Sequence, residues 1–230
     1  MIVQALKFLE WARGKDTFCV QDATRILEGS ESYAKLFLHR LVKRGLVKRV
    51  TKNVYTVKHD VWVVASNIVA PCYISFWSAA HYYGFTEQIL NTIFVAVPFS
   101  KREVEFEGYK IKFVELEEFF GYKKERTGAG SVFIAEQEKL LIDAFLKPNY
   151  CGNFDEIIKV YENAKISEER IVEYLKRVKK QAVVKRVGYL LEKVRGIDIS
   201  KHFGLDRNYV ILNPFEKGWS KVESKWRVKL

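Results

Sequence analysis

Glu136, Glu138, Lys139 and Asp143 fall within eight residues of one another. Carboxylates grouped near a lysine are the equipment of a metal-dependent nuclease, in which acids hold a divalent cation against the phosphate. That chemistry normally takes an acid, one spacer and a Lys on a strand. Here Gln137 stands two residues before Lys139, and EQEKLLIDAF reads as a helix with acids in its first turn, where the dipole favours them. His81 and Glu87 suggest a general acid–base pair, but His81 lies mid-helix among aromatics, the setting of a packed histidine. Gly128-Ala129-Gly130 lacks the Lys-Ser/Thr ending of a phosphate loop and reads as a turn. Cys19, Cys72 and Cys151 are odd in number and without CxxC spacing, which argues against a disulfide framework or a zinc site. No catalytic residue, metal site or cofactor is assigned on this basis, and a reducing, cytoplasmic setting is expected.

A different chemistry is carried by Leu38–Val57, LHRLVKRGLVKRVTKNVYTV. It holds six Lys or Arg, one His and no acid. The whole chain of 230 residues has a formal charge of +11, and its distribution is uneven: residues 1–60 are basic, 61–150 slightly acidic and 151–230 basic again. Two electrostatic surfaces are expected from such a pattern; a solvated Lys/Glu-rich surface of thermophile type is the alternative. Hydrophobic residues make up 48%, enough for a sizeable core. No apolar run approaches the ~18 residues that would span a bilayer, and the first residues lack the pattern of a secretory signal.

The elements that would position the first basic run follow from periodicity. Ile2, Ala5, Leu6, Phe8 and Leu9 recur at helical spacing up to Gly14. Val20–Leu27 reads as a second helix stopped at Gly29, and Ser30 suits the N-cap of a third that runs to about Arg44. Ala34, Phe37, Leu38 and Leu41 form its inward stripe. Gly45 belongs in a left-handed C-terminal position, with Leu46 closing back on the helix. Strands are expected over Leu46–Val50 and Val54–Val57, joined by a turn in which Asn53 takes positive φ. Three helices and a hairpin is the order of a winged helix-turn-helix, whose third helix enters the major groove while the hairpin lies on the backbone. The expected DNA-facing set is Ser32, Tyr33, Lys35, His39, Arg40 and Lys43 on the helix, with Lys48, Arg49, Lys52 and Asn53 on the wing. Duplex DNA carries one charge per ~1.7 Å of axis, so clustered cations suit it. A winged fold used for protein contact is the alternative, and Tyr33 serves either packing or a phosphate.

Further along, Ser75 caps a helix through Tyr83, Thr92–Val97 and Lys110–Val114 read as strands with a turn at Gly108, and Val132–Ala135 as another strand. Ser167 caps a helix with Ile171, Leu175 and Val178 inward. A following helix, Gln181–Val194, is expected to bury Val184, Val187 and Leu191, expose Lys185, and use Gly188 for close packing. Lys176, Arg177, Lys179, Lys180, Lys185 and Arg186 then form a second basic cluster, open to three roles: a solvated face, a second DNA contact, or contact with an acidic protein. The tail from Asn208, with alternating apolar residues and two tryptophans, reads as a strand or hairpin closing the domain, with an interaction surface as the alternative.

The segments ISFWSAAHYYGFTEQILNTIFVAV, KFVEL followed by FFG, IAEQEKLLIDAF with Pro148, Tyr150 and Gly152, and KRVGYLLE at 185–192 occur in an order that resembles the AbiEi group. These are antitoxin and transcriptional-regulator proteins of type IV toxin–antitoxin, abortive-infection systems, and the resemblance covers most of residues 1–195. Where the family's wing often has Gly before its Tyr, this chain has Asn53 before Val54 and Tyr55. The resemblance implies a winged helix that binds operator DNA and represses its own operon, and a C-terminal domain that opposes a nucleotidyltransferase-like toxin; it brings no catalytic residues.

Together these observations give an α+β chain: an N-terminal winged helix-turn-helix over residues 1–60, then a larger mixed α/β domain over residues 61–230. The expected partners are double-stranded operator DNA and a cognate toxin, with a homodimer if the operator is palindromic, and no membrane. The alternatives are a nuclease using Glu136, Glu138 and Asp143, and an antitoxin that binds only protein.

Overall fold

The computed structural model describes residues 2–230; the side chain of Ile2 lies outside the described residues. The fold is mixed α+β. Among the described residues the order is α1 (Ile2–Arg13), α2 (Val20–Leu27), α3 (Glu31–Lys43), β1 (Lys48–Thr51), β2 (Val54–Thr56), α4 (Val61–Ala65), β3 (Tyr73–Ile74), α5 (Phe76–Tyr82), β4 (Thr92–Val97), β5 (Val104–Phe106), β6 (Tyr109–Glu115), β7 (Tyr122–Arg126), β8 (Ser131–Ala135), α6 (Gln137–Leu146), α7 (Phe154–Asn163), α8 (Glu168–Lys176), α9 (Gln181–Arg195), β9 (Val210–Ile211), β10 (Val222–Glu223) and β11 (Val228–Lys229). No helix is long and apolar enough to cross a membrane. Two compact units divide the chain: Met1–Ile74 with Asn91–Val114 and Lys124–Phe133, and Ser75–Leu90 with Glu115–Lys123 and Ile134–Leu230.

In the first unit, Phe8, Ala12, Phe18, Ala23, Phe37 and Leu38 close a core between α1, α2 and α3. The Phe8 ring meets Phe18 and Phe37 edge-on, at 5.6 and 5.3 Å between centroids, the arrangement aromatic quadrupoles favour. The Ser30 hydroxyl accepts from Tyr33 N at 3.2 Å and starts α3. Gly45, at φ +70°, ends it, with Leu46 N donating to Leu41 O at 3.0 Å. The Leu46 side chain itself remains exposed. The left-handed residue that ends α2 is Glu28, not the glycine after it.

β1 and β2 pair antiparallel, Lys48 opposite Thr56 and Arg49 opposite Tyr55. A larger sheet has the strand order β5-β6-β4-β3-β8-β7. In the second unit α6 is buried on all sides from Glu138 to Leu146, with α5, α7, α8 and α9 around it. A three-stranded sheet, β10-β11-β9, packs on α9. There the Gly188 backbone approaches Trp226 so closely that an added Cβ would lie 2.1 Å from the ring. Trp226 is fully buried, and its indole N–H donates to Glu192 Oε2 at 2.6 Å.

Candidate nucleic-acid interface

α3 buries Ala34, Phe37, Leu38 and Leu41. That stripe turns Ser32, Lys35, His39, Arg40 and Lys43 outward, and all five are exposed. Its one acid, Glu31, sits in the first turn and pairs with Lys35. This pair lies on the surface, where such interactions contribute little, so the lysine stays available to a stronger anion. Lys43, Arg44 and Lys52 make no ion pair with any described residue. Tyr33 is half-buried beside Phe37, and its hydroxyl donates to Gln4 Oε1 at 2.8 Å, so it joins α3 to α1.

The hairpin divides its residues by face. Along β1, Val50 is buried and Arg49 exposed. A bulge at Val50 interrupts the alternation, and Lys48, half-buried, stands opposite the fully buried Thr56. Its ammonium is held by Glu107, lies 2.6 Å from His59 Nδ1, and sits over the Phe106 ring. Partial burial lowers its pKa below the ordinary lysine value. Lys48 is thus committed to the turn between β5 and β6, while Arg49 and Lys52 point to solvent. Asn53 takes φ +66°, as expected of the turn. Its amide does more than permit the turn: Oδ1 accepts from Val20 N at 3.1 Å and Nδ2 donates to Gln21 Oε1 at 3.1 Å. The hairpin tip is thereby fastened to the first turn of α2.

The second basic cluster is smaller than its sequence suggests. Lys176, Arg177, Lys179 and Lys180 are exposed, with the Arg177 guanidinium 3.9 Å from the Phe120 ring centroid. Lys185, expected outside, is fully buried. It donates to Asp206 Oδ1 at 2.7 Å and to the Asn208 carbonyl. Its direction follows from α9 being covered on two faces: residues 185, 188 and 192 share the side that carries the three-stranded sheet. Arg186 is likewise turned in, its Nε donating to Ile211 O at 2.9 Å, and burial lowers its pKa.

The acids of α6 are also engaged. Asp143 and Lys139 are fully buried and paired, and the Ser75 hydroxyl donates to Asp143 Oδ2 at 2.7 Å. Ser75 therefore does not cap α5 with its side chain. Glu136 accepts from the Tyr174 hydroxyl, and Glu138 Oε1 from Ser167 N at 2.8 Å, with Arg170 beside both. Burial and the Glu136 hydrogen bond push the Tyr174 phenol up. Among the described residues no group of three or more His, Cys, Asp or Glu is placed to hold a metal. The thiols of Cys72 and Cys151 are free and buried, Cys72 pushed up to about 12 by desolvation.

No protein-family model and no curated protein matches the chain. Its fold is similar to that of the crystal structure of the RV2827C protein from Mycobacterium tuberculosis, with a TM-score of 0.64 over 98% of this chain and 90% of that chain. The sequence identity is 14%, so the likeness is one of fold alone.

Proposed function

We propose that the chain is a DNA-binding transcriptional regulator of antitoxin type, whose three N-terminal helices and hairpin act as a winged helix-turn-helix. In this reading α3 enters the major groove, and the hairpin carries Arg49 and Lys52 to the phosphates. The supporting observation is the outward side of α3: Ser32, Lys35, His39, Arg40 and Lys43 stand exposed together on a helix whose other side is fixed in a core. A rigid helix with clustered cations and a short hydroxyl offers both phosphate and base-edge contacts. The resemblance to the AbiEi group adds the biological setting: repression of its own operon and opposition to a nucleotidyltransferase-like toxin, with residues 61–230 as the regulatory domain.

Gel-shift titration of the chain's own promoter at several salt concentrations tests the proposal. Lys35→Glu and Arg40→Glu should weaken binding and relax sequence preference. Arg49→Gln and Lys52→Gln should weaken binding on every sequence and lower the salt slope by ~0.9 for each phosphate no longer neutralised. Lys48→Gln should change the slope little, because Glu107 already holds its ammonium. Unchanged affinity in both α3 variants overturns the groove assignment.

A further inference from the structure

Among the described residues twelve large apolar side chains are exposed, and four of them, Tyr209, Phe215, Trp219 and Val222, lie within fourteen positions. Solitary exposed apolar residues are ordinary, so such a concentration in the chain invites a look at the face that carries them. The sheet register shows how it is built. Val222 stands opposite Lys229, and Lys229 opposite Ile211. Val228, one position along, is fully buried. Alternation therefore sends the row Val222–Lys229–Ile211 to the outer face. The Lys229 ammonium lies 3.7 Å over the Trp219 ring, which places the indole on that face. Trp219 is nonetheless 52% exposed, so the ring side away from Lys229 is open.

The charges around the patch are unbalanced. Of its acids, Asp198 and Asp206 are neutralised by lysines, while Glu216 and Glu223 are held by neutral donors and keep their charge. Asp198 holds Lys225, Asp206 holds Lys185, Glu216 accepts from Asn213 Nδ2, and Glu223 accepts from two backbone N–H groups. Lys217 and Lys221, on either side of Trp219 in the chain, are exposed and make no side-chain hydrogen bond or ion pair with any described residue.

We propose that this outer face binds single-stranded nucleic acid, with an unpaired base stacking on Trp219 and the phosphates meeting Lys217 and Lys221. Open aromatic faces interleaved with unpaired cations are the features that unpaired strands use. A duplex keeps its bases stacked internally and leaves the rings unmatched. An acidic protein would satisfy the lysines but not the open indole. The inference is independent of the role proposed for α3.

The test is fluorescence anisotropy of a labelled oligothymidylate of about twelve nucleotides against the full chain, at several salt concentrations. The wild-type chain should bind and lose tryptophan emission on titration. Trp219→Ala should weaken binding about tenfold or more, and Trp219→Phe should keep affinity within a few-fold while losing much of the quenching. Lys217→Gln with Lys221→Gln should reduce the salt slope by about 1.4, at ~0.7 for each phosphate neutralised on a single strand. Arg40→Glu should leave all of this unchanged, so failure of the α3 assignment is distinguishable from failure here. Absent binding, or binding indifferent to Trp219→Ala, overturns the proposal. So does a duplex or polyglutamate that binds as tightly with the same dependence on Trp219.

Discussion

Gly188→Ala sets helix propensity against packing at one position. Gly188 lies inside α9, away from its ends, and alanine there favours the helix by up to ~1 kcal/mol. The added methyl would stand 2.1, 2.3 and 2.6 Å from three carbons of the Trp226 ring, distances no real Cβ tolerates. The far side cannot yield easily, because Trp226 is 1% exposed and its indole is hydrogen-bonded to Glu192. Expelling the ring altogether would forfeit roughly 150–250 Å² of apolar burial, or about 4–6 kcal/mol at ~25 cal/mol/Å², as an upper bound. Partial displacement of the ring and its strand, less the propensity gain, gives a net loss of about 2–4 kcal/mol. For a chain of this size that lowers the melting temperature by roughly 4–16 °C. Circular dichroism melts measure it, with Gly188→Ala/Trp226→Leu as the partner variant: shortening the ring should make the alanine nearly neutral relative to Trp226→Leu alone. A Gly188→Ala protein as stable as the wild type or more so would refute the packing argument.

Two further outcomes are expected. Lys139→Met or Asp143→Leu should each cost about 3–5 kcal/mol in urea denaturation, because one buried charge loses its counter-ion, while the double variant should cost clearly less than the sum; additive costs would show the pair to be uncoupled. In acid, Asp198, held by Lys225, and Asp206, held by Lys185, both have pKa values below the ordinary aspartate range. Carboxyls depressed in the folded state stabilise it above the unfolded pKa of ~3.9 and lose that contribution as pH falls through the folded value. Melting temperature should therefore fall below about pH 4, and Asp198→Asn with Asp206→Asn should flatten that acid limb; an unchanged limb would place the sensitivity elsewhere.

Much of the fold was legible where local signals agree. α2 and β4 have the bounds expected from sequence, the first from a short amphipathic pattern, the second from the run TIFVAV. The inward stripe of α3, its Ser30 cap and the left-handed Gly45 follow from the same local chemistry. Elements made by distant partners were not legible. β7, YKKER, has no apolar alternation and exists as an edge strand of the large sheet. α4, VWVVA, was missed for a local reason: its β-branched composition speaks for a strand, yet Asp60 Oδ1 accepts from both Trp62 N and Val63 N and starts a helix there. α7 did carry a usable signal, Asn153 as N-cap followed by Ile157, Val160 and Tyr161 on one side.

The same limit governs the basic surfaces. Lys35 and Lys43 could be placed outward from α3 alone, because the helix's apolar stripe decides their direction. Lys48 and Lys185 looked equivalent to them in sequence, yet each is turned inward by an acid 59 or 21 residues away, Glu107 and Asp206. A lysine brought out of water needs such a partner, since an isolated buried charge is far costlier than a solvated one. Formal charge therefore overstates the field wherever a cluster sits on a helix covered on two faces, as α9 is, and predicts it well where one face is bare, as on α3. On that argument the +7 of residues 151–230 is not one broad cationic surface. The exposed Lys176–Lys180 run and the lysines that flank Trp219 are two separate groupings within it, each a local cationic field.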